Sequence, residues 1–343
     1  MKSTSVAAVV AAAALSLSAC AAGEAAPAAD ETASAAAAGQ FPVTIEHAFG
    51  ETTIDRAPER VATWGWGSTE AAISVGVFPV AVAEQVWTVG EDNLLPWVEQ
   101  AYEEAGEELP VVLDDASGGE EVPYEQFAEA APDLILAPYS GVTQEQYDLL
   151  SEIAPVVAYT GDPWTTEWDE TIEITSEALG LADQGDQVLA DVDEYLAGIK
   201  AEHPEFEGKT VAAIVDAPSE GLVYVYNSSD ARAGFLEKLG FTTAPAVDEL
   251  DPTQGKDFFY TLSYEELDKL ESDVVVAYTY TEEEAEKLPD SKQLRALPAV
   301  KAGMVAQVVG QVPVSSVSPP TALSYDWPEG VPALAEELGK ILG

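Results

Sequence analysis

The run at 183–200, DQGDQVLADVDEYLAGIK, interrupts the rhythm of the chain on both sides of it. Val188, Leu189, Val192, Tyr195, Leu196 and Ile199 recur there at helical spacing. At 1.5 Å per residue such a helix is roughly 27 Å long, enough to cross between two lobes. Residues 166–179 form a second helical stretch just before it, with little strand between. On the amino-terminal side, 41–55 reads as a hairpin. Short strands follow at 60–64, 78–83, 111–113, 133–137 and 156–159, alternating with helices at 69–75, 92–105, 123–130 and 143–153. On the carboxyl-terminal side the same rhythm resumes. Strands are expected at 210–215, 222–226, 273–278 and 305–309. Helices are expected at 231–239, 264–270 (capped by Ser263), 282–287 and 332–342. The alternation predicts an α/β chain with a mainly parallel sheet.

The two sides echo one another. Pro123-Tyr124-Glu125-Gln126-Phe127 stands before Asp133-Leu134-Ile135-Leu136, and Ser263-Tyr264-Glu265-Glu266-Leu267 stands before Asp273-Val274-Val275-Val276. Both units read as a helix start with Tyr-Glu, then Asp and a buried strand. Two lobes of related design follow: an N-terminal lobe at 41–165, an interdomain helical segment at 166–203 and a C-terminal lobe at 204–343.

The first 40 residues carry none of this patterning. Lys2 gives a positive start, and residues 6–17 are an apolar run too short to span a bilayer. It closes on Leu17-Ser18-Ala19-Cys20, which resembles the bacterial lipobox. The expectation is a signal peptide at 1–19, lipid on Cys20 and an alanine-rich, lipid-anchored tether at 20–40. As Cys20 is the only cysteine, a disulfide framework is ruled out. No later segment is apolar enough to cross a bilayer, so the anchor is the membrane contact.

Charge narrows the function. Against 14 basic residues stand 62 acidic ones, which excludes nucleic acid as a partner. Two readings of the acids remain: surface solvation, or a field that attracts a cationic ligand. No nucleophile elbow, phosphate loop or HExxH is present, and His47 and His203 stand far apart. The chain is therefore expected to be neither an enzyme nor a direct metal binder.

Aromatic residues fall repeatedly where strands end: Trp64, Trp66, Trp87, Tyr139, Trp164, Tyr226, Tyr278 and Tyr280, with Trp327 in a Pro-rich segment. In open α/β sheets ligands bind beyond the carboxyl ends of strands, where exposed rings suit a large, partly apolar ligand. Arg232, at a helix start where the dipole disfavours a cation, either bridges to Asp230 or meets ligand oxygens. The candidate ligand-binding set is Trp64, Trp66, Trp87, Tyr139, Tyr226, Arg232, Tyr278 and Trp327.

From residue 41 to the end the chain resembles the iron–siderophore-binding lipoproteins of bacterial ABC importers, the actinobacterial type in particular. The residues that carry this are Val43-Thr44-Ile45-Glu46-His47-Ala48-Phe49-Gly50, Pro58-Glu59-Arg60-Val61, Pro132-Asp133-Leu134-Ile135-Leu136, Ile153-Ala154-Pro155-Val156 and Arg232-Ala233-Gly234-Phe235-Leu236 before Leu239-Gly240. The resemblance implies two Rossmann-like lobes joined by a long interdomain α-helix, the class III periplasmic-binding-protein architecture. It implies a monomer that binds a ferric siderophore between its lobes and delivers it to a permease with its ATPase, without a cofactor. It places permease-docking glutamates at Glu125 and Glu265. Scarce cations favour a hydroxamate cargo over a tri-anionic catecholate. Haem or corrinoid binding, or a non-transport surface lipoprotein, are the alternatives.

Overall fold

The computed structural model describes residues 41–85 and 93–343. The signal and tether segments, Cys20 and Trp87 lie outside the described residues. The chain opens on an antiparallel hairpin, β1 (Val43–His47) and β2 (Gly50–Ile54), whose alternation buries Ile45 and Ile54. Five parallel strands follow: β3 (Val61–Thr63), β4 (Ala81–Ala83), β5 (Val111–Leu113), β6 (Leu134–Ala137) and β7 (Val156–Ala158). Their order is β5-β4-β3-β6-β7. These strands are short apolar runs because most of them are covered on both faces. The helices between them are α1 (Ser68–Ser74), α2 (Pro96–Ala105), α3 (Tyr124–Ala130) and α4 (Gln144–Ser151).

Next come α5 (Trp168–Ala178) and α6 (Ala182–Glu202). Val192, Leu196 and Ile199 of α6 are buried against Phe206, Phe235 and Leu236 in the carboxyl-terminal core. Each such side chain contributes about 1.5–3 kcal/mol when fully buried. α5 serves both cores, with Ile174 and Ala178 packed toward the first sheet and Trp168 and Ile172 toward the second.

The second sheet holds β8 (Thr210–Ala217), β9 (Leu222–Tyr226), β10 (Thr242–Thr243), β11 (Phe259–Ser263), β12 (Val274–Thr279) and β13 (Val305–Val309), in the order β11-β9-β8-β12-β13 with β10 beside the start of β8. It is mixed: β8, β12 and β13 run parallel, while β9 pairs antiparallel with both β8 and β11. Around it lie α7 (Ala231–Lys238), α8 (Pro245–Glu249), α9 (Glu282–Lys287), α10 (Pro298–Ala302), α11 (Gln311–Ser316) and α12 (Val331–Leu342).

Two findings depart from the sequence reading. No α-helix forms at 264–270. β11 ends at Ser263, and a single tight turn at Leu267–Lys269 covers the short link to β12. Tyr264 is pinned there by its hydroxyl, which donates to Asp216 Oδ1 at 2.7 Å. The part of the echo with a shared structural role is instead its aspartate. Asp133 accepts the backbone N–H groups of Glu59 and Arg60 at 3.0 and 2.9 Å, and Asp273 accepts that of Thr210 at 2.9 Å. Each ties the start of a central strand to its parallel neighbour.

The second departure is another crossing. The chain leaves β13 through α11, packs Leu323 and Trp327 against Ile73 and Trp97 of the first lobe, and returns as α12. The Trp97 indole donates to the buried Glu70 carboxyl at 3.0 Å, and burial pushes that carboxyl above its usual range.

A candidate ligand-binding cleft

In the first sheet the chain steps outward from β3 to β4 and β5, then returns to the other side of β3 for β6 and β7. The loops after β3 and β6 therefore diverge, and a crevice opens at their carboxyl ends. Gly65 and Trp66 follow β3, and Tyr139 follows β6. The Trp66 backbone N–H donates to the Tyr139 carbonyl at 3.0 Å, which joins the two loops at their base. A cleft of about 510 Å³ starts here and is closed on its far side by the second sheet, a size within the ordinary range for small-molecule sites.

Of the candidate set, Trp66, Tyr139, Tyr226 and Arg232 line this cleft. Trp87 lies outside the described residues. Three candidates are placed elsewhere. Trp64 is 1% exposed and packs edge-on against Phe127, because its ring joins the first lobe's core. Tyr278 is also buried, behind Tyr226 at 5.9 Å, because it still lies within the paired register of β12. Trp327 is taken up by Trp97, ring to ring at 5.5 Å.

The cleft gains rings outside that set. Tyr280 lies just past the last β12 pair. Phe259 comes from β11, an edge strand that the βα rhythm conceals, Phe258 from the residue just before it, and Tyr224 from β9. Trp164 stands edge-on to Tyr139 at 5.6 Å and rests on backbone: a Cβ at Gly141 would lie 2.2 Å from its indole nitrogen. Its φ of 61° is costly for a side-chain-bearing residue.

Arg232 stands among these rings. Asp230 caps α7, with Oδ1 accepting the Arg232 N–H at 2.8 Å. Its other oxygen receives the guanidinium at 2.6 Å. Arg232 Nε donates to Ser318 Oγ at 2.6 Å, and the guanidinium lies 4.1 Å from the Tyr226 ring centre. Burial is the largest influence and works against its charge, but Asp230, Tyr226, Tyr139 and Tyr278 together outweigh it and hold the Arg232 pKa above its usual value. Burial pushes the Tyr226 phenol up to about 12 and raises those of Tyr139 and Tyr280. Their hydroxyls stay protonated, and none has a hydrogen-bond partner among the described residues. Donors without acceptors therefore gather around one guanidinium. Groups of three or more potential metal ligands are absent among the described residues.

Glu167 stands at the N-cap position of α5, where its side chain makes no capping hydrogen bond. Burial, then repulsion from Asp169, Asp230, Glu170 and Glu237, pushes its carboxyl from 4.5 up to about 7. The folded state thus holds a proton that the unfolded chain has lost between those values. The cost of ionised Glu167 is absent below that window, grows as pH rises and is fully present above it. Glu167→Gln is expected to stabilise the protein by about 1–2 kcal/mol at pH 8 and by nothing at pH 4, as read by chemical denaturation.

Glu125 lies in the first turn of α3 and Glu265 in the turn after β11. Both are exposed, and neither is in an ion pair among the described residues.

A family model described as periplasmic binding protein matches residues 61–309. The chain is 29% identical over 276 residues to the "Probable siderophore-binding lipoprotein YfiY" of Bacillus subtilis, covering 77% of this chain and 79% of that one. It is 25% identical over 231 residues to the Fe(3+)-citrate-binding protein YfmC of the same organism, covering 66% and 65%. Among solved structures, PiaA of Streptococcus pneumoniae TIGR4 in complex with ferrichrome superposes with a TM-score of 0.79 at 32% identity, covering 88% of this chain and 98% of that one. A periplasmic solute binding protein of Mycobacterium smegmatis gives 0.72 at 27% identity, covering 88% and 99%.

Proposed function

The chain belongs to the periplasmic binding protein family, and from that premise we propose that it captures a ferric siderophore of hydroxamate type between its lobes and delivers it to the permease of an ABC importer. The observation that carries this is the cleft wall: aromatic rings from both lobes around Arg232 and three unpaired tyrosine hydroxyls. Rings suit the apolar periphery of a chelate, and donors suit the oxygens that hold its iron. The siderophore is cargo, not cofactor, and the chain works by binding and release rather than catalysis. Cys20 carries the lipid that holds this monomer at the outer face of the cell membrane, on its alanine-rich tether.

The test is intrinsic fluorescence, since Trp66 and Trp164 line the cleft. Titrating ferrichrome or another ferric trihydroxamate into the purified mature protein should quench tryptophan emission saturably. A response to haem, a corrinoid or a ferric catecholate, with none to any hydroxamate, overturns the reading.

Glu125 and Glu265 dock the permease, one from each lobe. Reversing both charges, Glu125→Lys with Glu265→Lys, is expected to abolish cellular uptake of the labelled chelate while its dissociation constant stays within about twofold, as for exposed charges outside the cleft. Undiminished uptake would remove both residues from this role.

A further inference from the structure

The cleft has only one lining cation among its described residues, Arg232, and Asp230 already matches that charge at 2.6 Å. Three carboxylates line the same cleft: Glu84, Asp115 and Glu220. Glu220 accepts the Tyr224 hydroxyl at 3.1 Å, whereas Asp115 accepts only the backbone N–H of Gly119. The Glu84 carboxylate has no hydrogen-bond or ion-pair partner among the described residues, its backbone N–H alone being taken up by the Leu113 carbonyl, and no cation pairs with either Glu84 or Asp115 there.

The order of the first sheet separates Glu84 and Asp115 from Tyr139. Tyr139 follows β6, Glu84 follows β4 and Asp115 follows the edge strand β5. Neighbouring strands lie about 4.8 Å apart, so Glu84 and Asp115 stand roughly 10 and 14 Å along the sheet from Tyr139. At the donor end, the Tyr139 side chain belongs to a residue only 5% exposed, yet its hydroxyl has no partner and its ring lines the cleft. Arg232 bonds Ser318 Oγ, and the next residue, Pro319, lines one small cavity with Tyr139, which puts Tyr139 and Arg232 at one end together. The cleft thus has a donor end and, two to three strands away, an acid end without counter-charge.

We propose that the cargo is an amine-bearing ferric chelate, its iron-binding oxygens facing Arg232, Tyr139, Tyr226 and Tyr280 and its protonated amine seated between Glu84 and Asp115. This rests on the siderophore reading above and adds the charge and polarity of the ligand. A carboxylate pair facing an ammonium supplies Coulomb attraction in a partly desolvated cleft, and it turns away chelates with a net negative charge. Burial, with Glu84 and Asp114 beside it, pushes the Asp115 carboxyl up to about 6, as expected where a cationic neighbour is missing. The span also sets ligand shape: the amine must sit on an arm that places it roughly 10–14 Å along the first sheet from the oxygens at Tyr139.

The experiment uses a linear ferric trihydroxamate with a terminal amine and the same chelate acetylated on that amine. Both are titrated by fluorescence at pH 7.5 and low salt, into the wild-type protein and into Glu84→Gln/Asp115→Asn. The wild type is expected to bind the amine form at least about tenfold more tightly, equivalent to ~1.4 kcal/mol. The double variant is expected to bring the ratio of the two dissociation constants close to one. Equal affinity in the wild type, or a preference that survives in the double variant, overturns the amine seat. If the acetylated chelate binds and the amine gives no advantage, the siderophore reading stands and this inference falls. If neither chelate binds, both fall.

Discussion

Arg232→Ala is expected to destabilise the protein by about 3–5 kcal/mol and to weaken chelate binding by roughly ten- to a hundredfold. The stability loss comes from Asp230, whose side chain is fully buried and capped onto α7. Removing the guanidinium strands that carboxyl without its counter-charge, and a stranded buried charge costs more than the pair contributes. Burial already pushes Asp230 up, and without Arg232 its strongest opposing influence is gone. The variant should therefore recover stability as pH falls and Asp230 takes a proton, so its deficit should be smaller at pH 5 than at pH 8. Adding Asp230→Asn should restore part of the loss without restoring affinity. Chemical denaturation at both pH values reads the first effect, and fluorescence titration reads the second. A deficit that does not change with pH would show that the pair is not what holds α7 against the cleft.

The arrangement of this pair was half legible in the sequence. Scarcity of cations singles out Arg232 at its helix start. Two readings stand as alternatives there, a bridge to Asp230 and an arginine that meets ligand oxygens. The structure shows the bridge and places the bridged arginine in the cleft wall: one oxygen of Asp230 caps the helix while the other holds the guanidinium. Only three-dimensional packing brings Ser318, from 86 residues away, to the third side.

Periodicity served the fold better than local echo did. The apolar positions at 188–199 mark the helix that the structure extends to Ala182–Glu202, because helical spacing sustained over about three turns is hard to mimic. The Tyr-Glu echo misled at Tyr264. Leu267 and Leu270 fit a helix by spacing, but an alternating strand, Phe259 to Ser263, runs directly into that turn. Short antiparallel edge strands give a signal that a βα rhythm conceals. The same limit governs the site. Trp64 and Trp66 stand two residues apart beyond β3, and the sequence does not tell which ring enters the core. Tyr278 and Tyr280 differ only in whether the sheet still pairs around them. Trp327 lies in a segment without periodicity, so its partner Trp97 could not be foreseen.

Gly65→Ala is expected to cost roughly 2–4 kcal/mol and to lower chelate affinity, through a contact rather than a lost side chain. Gly65 has a φ of 85°, and a Cβ there would lie 2.3 Å from the Tyr139 carbonyl oxygen. That carbonyl is the acceptor for the Trp66 N–H, the bond that joins the loops after β3 and β6. A methyl group must therefore push Tyr139 away, break this bond and open the crevice at its base. Gly76 provides the comparison. Its φ is 88°, almost the same, but a Cβ there would meet nothing within 4 Å. Gly76→Ala should show the left-handed backbone cost alone, ~1–2 kcal/mol, with the cleft untouched. The excess loss in Gly65→Ala then measures the contact, and only that variant should lose fluorescence quenching by the ferric chelate. Equal losses in the two variants, with quenching retained, would mean that the loops after β3 and β6 can part without consequence. The close approach at Gly65 would then not be what positions Trp66 and Tyr139 in the cleft wall.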